Sequence, residues 1–111
     1  MHFLKDDGAK LGLLRSISRR LKHGAPLVLV DGCGKAGGRA FRENLKAWKQ
    51  YPVLHGLRPD YVEKAFSRTI EKMVRFVPES RILELLKEAG FKDIFRFYTG
   101  FLYSGWTAYR R

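Results

Sequence analysis

The run Leu27-Val28-Leu29-Val30, bounded by Pro26 on one side and Asp31-Gly32 on the other, constrains this chain more than any other feature. It is too short for a helix and does not alternate with polar residues, which predicts a strand buried on both faces in the interior of a parallel sheet. Such a strand needs cover above and below, so the fold class read from the sequence is α/β.

With 111 residues the chain is one small domain, 1–111, with a single core. An apolar fraction of 45% with 14% aromatics excludes a disordered polypeptide. No apolar run approaches the roughly 20 residues that cross a bilayer. Lys5, Asp6 and Asp7 stand where a signal peptide needs apolar residues, so a cytoplasmic location is expected. Cys33 is the sole cysteine, which forbids an internal disulfide, and it is read as a bystander in a glycine-rich loop. No metal-ligand spacing is read.

The formal net charge is +11, which attracts polyanions and opposes self-association. The basic residues are nevertheless spread along the chain, as on an ordinary solvated surface.

Asp6 or Asp7 is expected to cap a helix over about 8–22, in which Leu11, Leu14, Ile17 and Leu21 form one apolar stripe and Gly24 closes the end. Phe41, Leu45 and Trp48 predict a helix over 39–49, with a loop from Tyr51 to Leu57. Pro59 then opens a helix whose buried face is Val62, Phe66, Ile70 and Met73. Pro78 starts a further helix, with Ile82, Leu85, Leu86 and Ala89 facing inward until Gly90. The aromatic-rich tail from Phe91 to Tyr109 predicts two antiparallel strands, with turns at Thr99-Gly100 and Ser104-Gly105. Gly32-x-Gly34-x-x-Gly37 follows the Leu27–Val30 strand in the manner of a dinucleotide fingerprint, but no acidic residue closes a second strand about 20 residues on.

Several stretches, taken in order, carry a family resemblance. They are His2-Phe3, the Leu-rich helix, the Lys22-His23-Gly24-Ala25 turn, Pro26–Asp31, Glu84-Leu85-Leu86-Lys87-Glu88-Ala89-Gly90-Phe91, and the closing stretch from Gly105-Trp106 to Arg110. Together they resemble the C-terminal half of a class I S-adenosylmethionine (SAM)-dependent methyltransferase of the small-molecule type. The resemblance implies a partial Rossmann-like sheet of strands equivalent to the fifth, seventh and sixth of that family, with flanking helices and a helical insertion over Phe41 to Met73. It implies SAM as cofactor, with His2 and Phe3 at the rim beside the adenine and the methyl donor. His2 is then the candidate base for a substrate proton, and Asp31 faces the substrate.

The glycine-rich first loop and the ribose-binding acid of that family have no counterpart in this sequence. Weak or no activity is therefore expected of this polypeptide alone. One edge of the Leu27–Val30 strand is expected to be open, and to be filled by a homodimer partner or by a complementing N-terminal chain. Two other functions fit the residues. One is a basic nucleic-acid-binding module using Arg39, Arg42, Lys46 and Lys49 with Trp48 and Tyr51. The other is a non-catalytic interaction protein whose helical pair grips an apolar partner.

Overall fold

Leu27–Val30 is extended, at the centre of strand β1 (Pro26–Gly32), in the computed structural model, which describes residues 1–111. Ahead of β1 lies α1 (Ala9–Arg20). After it come α2 (Arg39–Leu54) and α3 (Pro59–Phe66), the latter running into a π-helical turn at Ser67–Glu71. Helix α4 (Glu79–Glu88) and strands β2 (Phe91–Gly100) and β3 (Tyr103–Arg110) complete the chain. The sheet order is β1-β3-β2 and both pairings are antiparallel. This corrects the expected interior position in a parallel sheet: β1 is an edge strand with one side open, and the one parallel contact beside it is an isolated bridge between Cys33 and Val77.

The burial of β1 is also corrected. Leu27 and Leu29 pack towards the core, whereas Val28 is 62% exposed and Val30 is exposed on the other face. The register sets Val28 opposite Thr107 and Thr107 opposite Phe95, itself 67% exposed, so an apolar stripe crosses all three strands on the open face. Both faces of β1 are apolar because the sequence is built for cover on both. Helices cover only one of them. Phe97 lies on the open face directly over Gly105, where a Cβ would come within 2.7 Å of its ring, so a larger residue there would displace the exposed Phe97 side chain.

The covered face carries the core. Trp106, Ala108 and Phe91 meet Leu14 from α1, Ile82, Leu85 and Leu86 from α4, and Ala89 at its C-terminal cap. Helix α4 follows its sequence period closely, and Gly90 ends it at φ +97°, a conformation open to glycine.

Other boundaries move for identifiable reasons. Neither Asp6 nor Asp7 is the N-cap of α1, which is Gly8. Asp7 accepts from the Ala9 amide at 3.3 Å, and Asp6 pairs with Arg81 at 2.7 Å. Helix α1 closes at an extended Leu21, so Gly24 belongs to the turn before β1. Helix α2 continues through Pro52 to Leu54 in place of the expected loop. Met73, expected on a buried face, is exposed. The π-turn wraps an extra residue after Phe66, and beyond it Val74 is the buried residue in place of Met73. The final hairpin turns at Phe101-Leu102, which leaves Ser104-Gly105 inside β3.

Candidate functional site

Strand β1 ends by delivering Asp31 to a fully buried position. The segment before α1 folds back over that end. The Leu4 amide donates to the Met1 carbonyl at 3.0 Å, and the Arg75 amide donates to the His2 carbonyl at 2.6 Å. His2 Nδ1 thereby comes 2.8 Å from Asp31 Oδ1. An ionised carboxylate can only accept, so the ring donates to it through Nδ1–H, and in the neutral imidazole Nε2 is then the bare nitrogen. The sequence marks these two residues separately, and the fold brings them into one hydrogen bond.

Three further groups complete the surroundings of Asp31. The Met1 amino group lies 3.9 Å from Oδ1, while Oδ2 is buried with no partner. Lys10, wholly buried, donates through Nζ to the Met1 carbonyl at 3.2 Å. Burial pulls its ammonium below the usual lysine range, and the charges of Asp31 and Asp6 oppose that pull. Tyr103 meets the His2 ring edge-on at 5.4 Å. Its phenol is pushed up by burial and then by the Asp31 charge.

An aromatic wall continues outward from this point. Trp48 of α2 lies edge-on to Tyr103 at 5.4 Å and to Phe66 at 4.9 Å, and it stacks parallel to Phe101 at 6.1 Å. Phe3 packs at a tilt against His2 at 4.4 Å and leaves half of its surface free. Sequence reasoning missed Lys10 and Tyr103 as site residues. A signal for Lys10 existed, because Lys10, Leu14 and Ser18 share a four-residue spacing, and all three are buried.

The glycine-rich loop after β1 borders a cleft of about 560 Å³ that includes Cys33, Lys35, Arg39, Asn44, Glu79 and Arg96 in its walls. Its first amides are already engaged, Cys33 with the Leu102 carbonyl and Gly34 with the Val77 carbonyl, which leaves them unable to cradle a phosphate. Burial, followed by the nearby Glu79 carboxylate, raises the Cys33 thiol to about 11. Alkylation by iodoacetamide at pH 8 is therefore expected to run at least about a hundredfold slower than at a free cysteine, as read by mass spectrometry of the intact chain. Of the basic residues on α2, Lys49 is held by Glu63 at 3.0 Å and Glu71 at 2.6 Å, while Arg39, Arg42 and Lys46 remain on the exposed side.

No helix is long and apolar enough to cross a membrane, and no three metal-ligating side chains gather anywhere in the chain. The architecture is mixed α/β, a three-stranded antiparallel sheet with four α-helices. Human N-acetylserotonin methyltransferase, solved in complex with SAM, matches it with a TM-score of 0.60 over 99% of this chain at 17% identity. That likeness is one of fold, and the chain spans 27% of the human enzyme's length. No protein-family model and no curated protein matches the sequence.

Proposed function

We propose that this chain is the acceptor-side portion of a SAM-dependent methyltransferase domain, with β1, β3 and β2 equivalent to the fifth, seventh and sixth strands of that family's sheet. The observation that carries the reading is the 2.8 Å contact between His2 Nδ1 and the buried Asp31, at the carboxyl end of β1. Open α/β sheets place their ligands at that end of the strands. Asp31 fixes the ring and its tautomer. The free Nε2 of His2 then takes the proton from an acceptor as it is methylated. Tyr103 and Trp48 wall the position against water, and exposed Phe3 offers an aromatic face to an adenine.

SAM supplies the methyl group when bound. Methyl transfer depends on holding donor and acceptor in line, so a chain that carries one side of the site is weak or silent alone. The unpaired edge of β1 takes a strand from a second copy or from a complementing N-terminal chain, and static light scattering over a concentration series reads the first of these.

The test of the reading is an amide and side-chain shift map of the isotopically labelled chain titrated with SAM to millimolar concentration. Shifts centred on His2, Phe3 and Asp31 are expected. An unchanged spectrum at those residues, with the fold intact, contradicts the proposal.

A further inference from the structure

The cleft of about 560 Å³ between the loop after β1, the start of α2 and the β2–β3 hairpin has no part in the chemistry proposed above, and none of His2, Phe3 and Asp31 lines it. Its charge is unbalanced. Lys35, Arg39 and Arg96 line it with a single carboxylate, Glu79, so two positive charges are left over. Glu79 is paired with Arg96, but the two side chains are 36% and 52% exposed. Exposed pairs of this kind contribute little, which leaves the Arg96 guanidinium open to a competing anion. Lys35 is placed by a turn in which the Gly38 amide donates to its carbonyl at 3.0 Å, and Arg42 ties the Gly37 carbonyl to α2. The remaining wall is mostly aromatic. Phe41 is held edge-on by Phe76 at 5.0 Å and Phe101 is stacked on Trp48 at 6.1 Å, so both rings are fixed.

We propose that this cleft is a binding site for a phosphate monoester with an apolar body. At pH 7 such a group carries a charge of about −1.5 to −2, which matches the excess that Lys35, Arg39 and Arg96 hold over Glu79. Guanidinium forks meet phosphate oxygens two at a time, and Arg39 and Arg96 supply two forks beside the point charge of Lys35. The Cys33 and Gly34 amides are taken by backbone carbonyls, so recognition falls to side chains and differs from that of a glycine-rich phosphate loop. Phe41 and Phe101 take the organic part, since small-ligand sites of this size are mainly apolar with a few placed polar groups. An inorganic ion gains nothing from those rings. An uncharged ligand gains nothing from the cations. The inference is independent of the role proposed above for His2 and of SAM, so the two can fail separately.

The test is an amide-shift titration of the isotopically labelled chain with phenyl phosphate at neutral pH, run in parallel with inorganic phosphate and with phenol. Phenyl phosphate is expected to give saturable shifts centred on Lys35, Arg39, Phe41 and Phe101, with a dissociation constant at least about tenfold below that of either fragment. Lys35→Gln and Arg39→Gln are each expected to weaken it about tenfold, the scale of one charge-assisted hydrogen bond. Arg15→Gln removes an exposed charge of α1 away from the cleft and is expected to leave it unchanged. Glu79→Gln is expected to tighten binding about threefold by releasing Arg96, a gain that a purely structural ion pair does not give. The variants are at surface positions, and the amide spectrum of each reports its fold directly. The proposal is overturned by the absence of saturable shifts at the cleft, by inorganic phosphate binding as tightly as phenyl phosphate, or by a folded Glu79→Gln chain that binds no better. Equal losses in Arg15→Gln and Arg39→Gln also overturn it, since they mark only the general attraction of a chain with net charge +11 for anions.

Discussion

Replacing Trp106 with alanine is expected to cost about 3–5 kcal/mol, the usual range for removing a buried aromatic side chain. Domains of this size are stable by about 5–15 kcal/mol in total, so the variant is expected to be largely unfolded at 37 °C. Trp106 is 1% exposed at the middle of the covered sheet face, where strand β3 meets α1 and α4. It is also the central residue of the pairing, opposite Leu29 on one side and Arg96 on the other. Its indole nitrogen is buried without a partner, so part of what the ring contributes by packing is already offset. Trp106→Phe removes that orphan donor along with some volume and is expected to cost less than half as much. Urea denaturation followed by far-UV circular dichroism compares the two.

The second large effect is expected at Asp31. Asp31→Leu fills the same space with an apolar side chain but removes the partner of His2 Nδ1 and of the Met1 amino group together with a negative charge that favours the buried Lys10 ammonium, and taking the anion out of a buried charged cluster costs about 3–5 kcal/mol. The pH dependence separates this cause from a simple packing defect. Lys10 titrates below its ordinary value of 10.5 in the folded chain because burial outweighs Asp31 and Asp6. Between the lowered folded value and 10.5 the unfolded chain holds more protons than the folded one, so stability rises with pH across that window. Removing the Asp31 charge deletes an influence that holds the lysine value up, widens the window and steepens the rise. Urea midpoints measured from pH 7 to 10.5 are expected to climb more in Asp31→Leu than in the native chain. Equal slopes mean that Lys10 and Asp31 are not coupled.

Much of the chain's local structure was legible because local rules decide it. The extended state of Leu27–Val30 and the helix from Glu79 to Glu88 with its Gly90 stop both come from short-range pattern. The exposure of Val28 and Val30 was not legible, because an apolar strand records what it is suited to be covered by and not whether the cover is present. The exposure of Met73 turned on a π-turn, a one-residue slip in helical phase that no periodicity announces.

At the site, His2 and Asp31 were each singled out in the sequence as expectations drawn from a family resemblance. Their contact spans 29 residues and depends on the Arg75 amide catching the His2 carbonyl, a tertiary tie without a sequence signature. Lys10 was hidden for the opposite reason. Charged residues on a helix are ordinarily read as solvated, and only its spacing with Leu14 and Ser18 spoke against that.

The protonation state of the His2 ring decides whether this nitrogen can act as a base, and long-range nitrogen–proton correlation NMR of the three imidazoles at pH 8 reads it directly. The expected result is a single His2 tautomer, with Nδ1 protonated and hydrogen-bonded to Asp31 and Nε2 bare, that becomes a mixture in Asp31→Asn. A His2 ring already averaging between tautomers in the native chain, or one protonated at Nε2, contradicts the assignment of that nitrogen as the base.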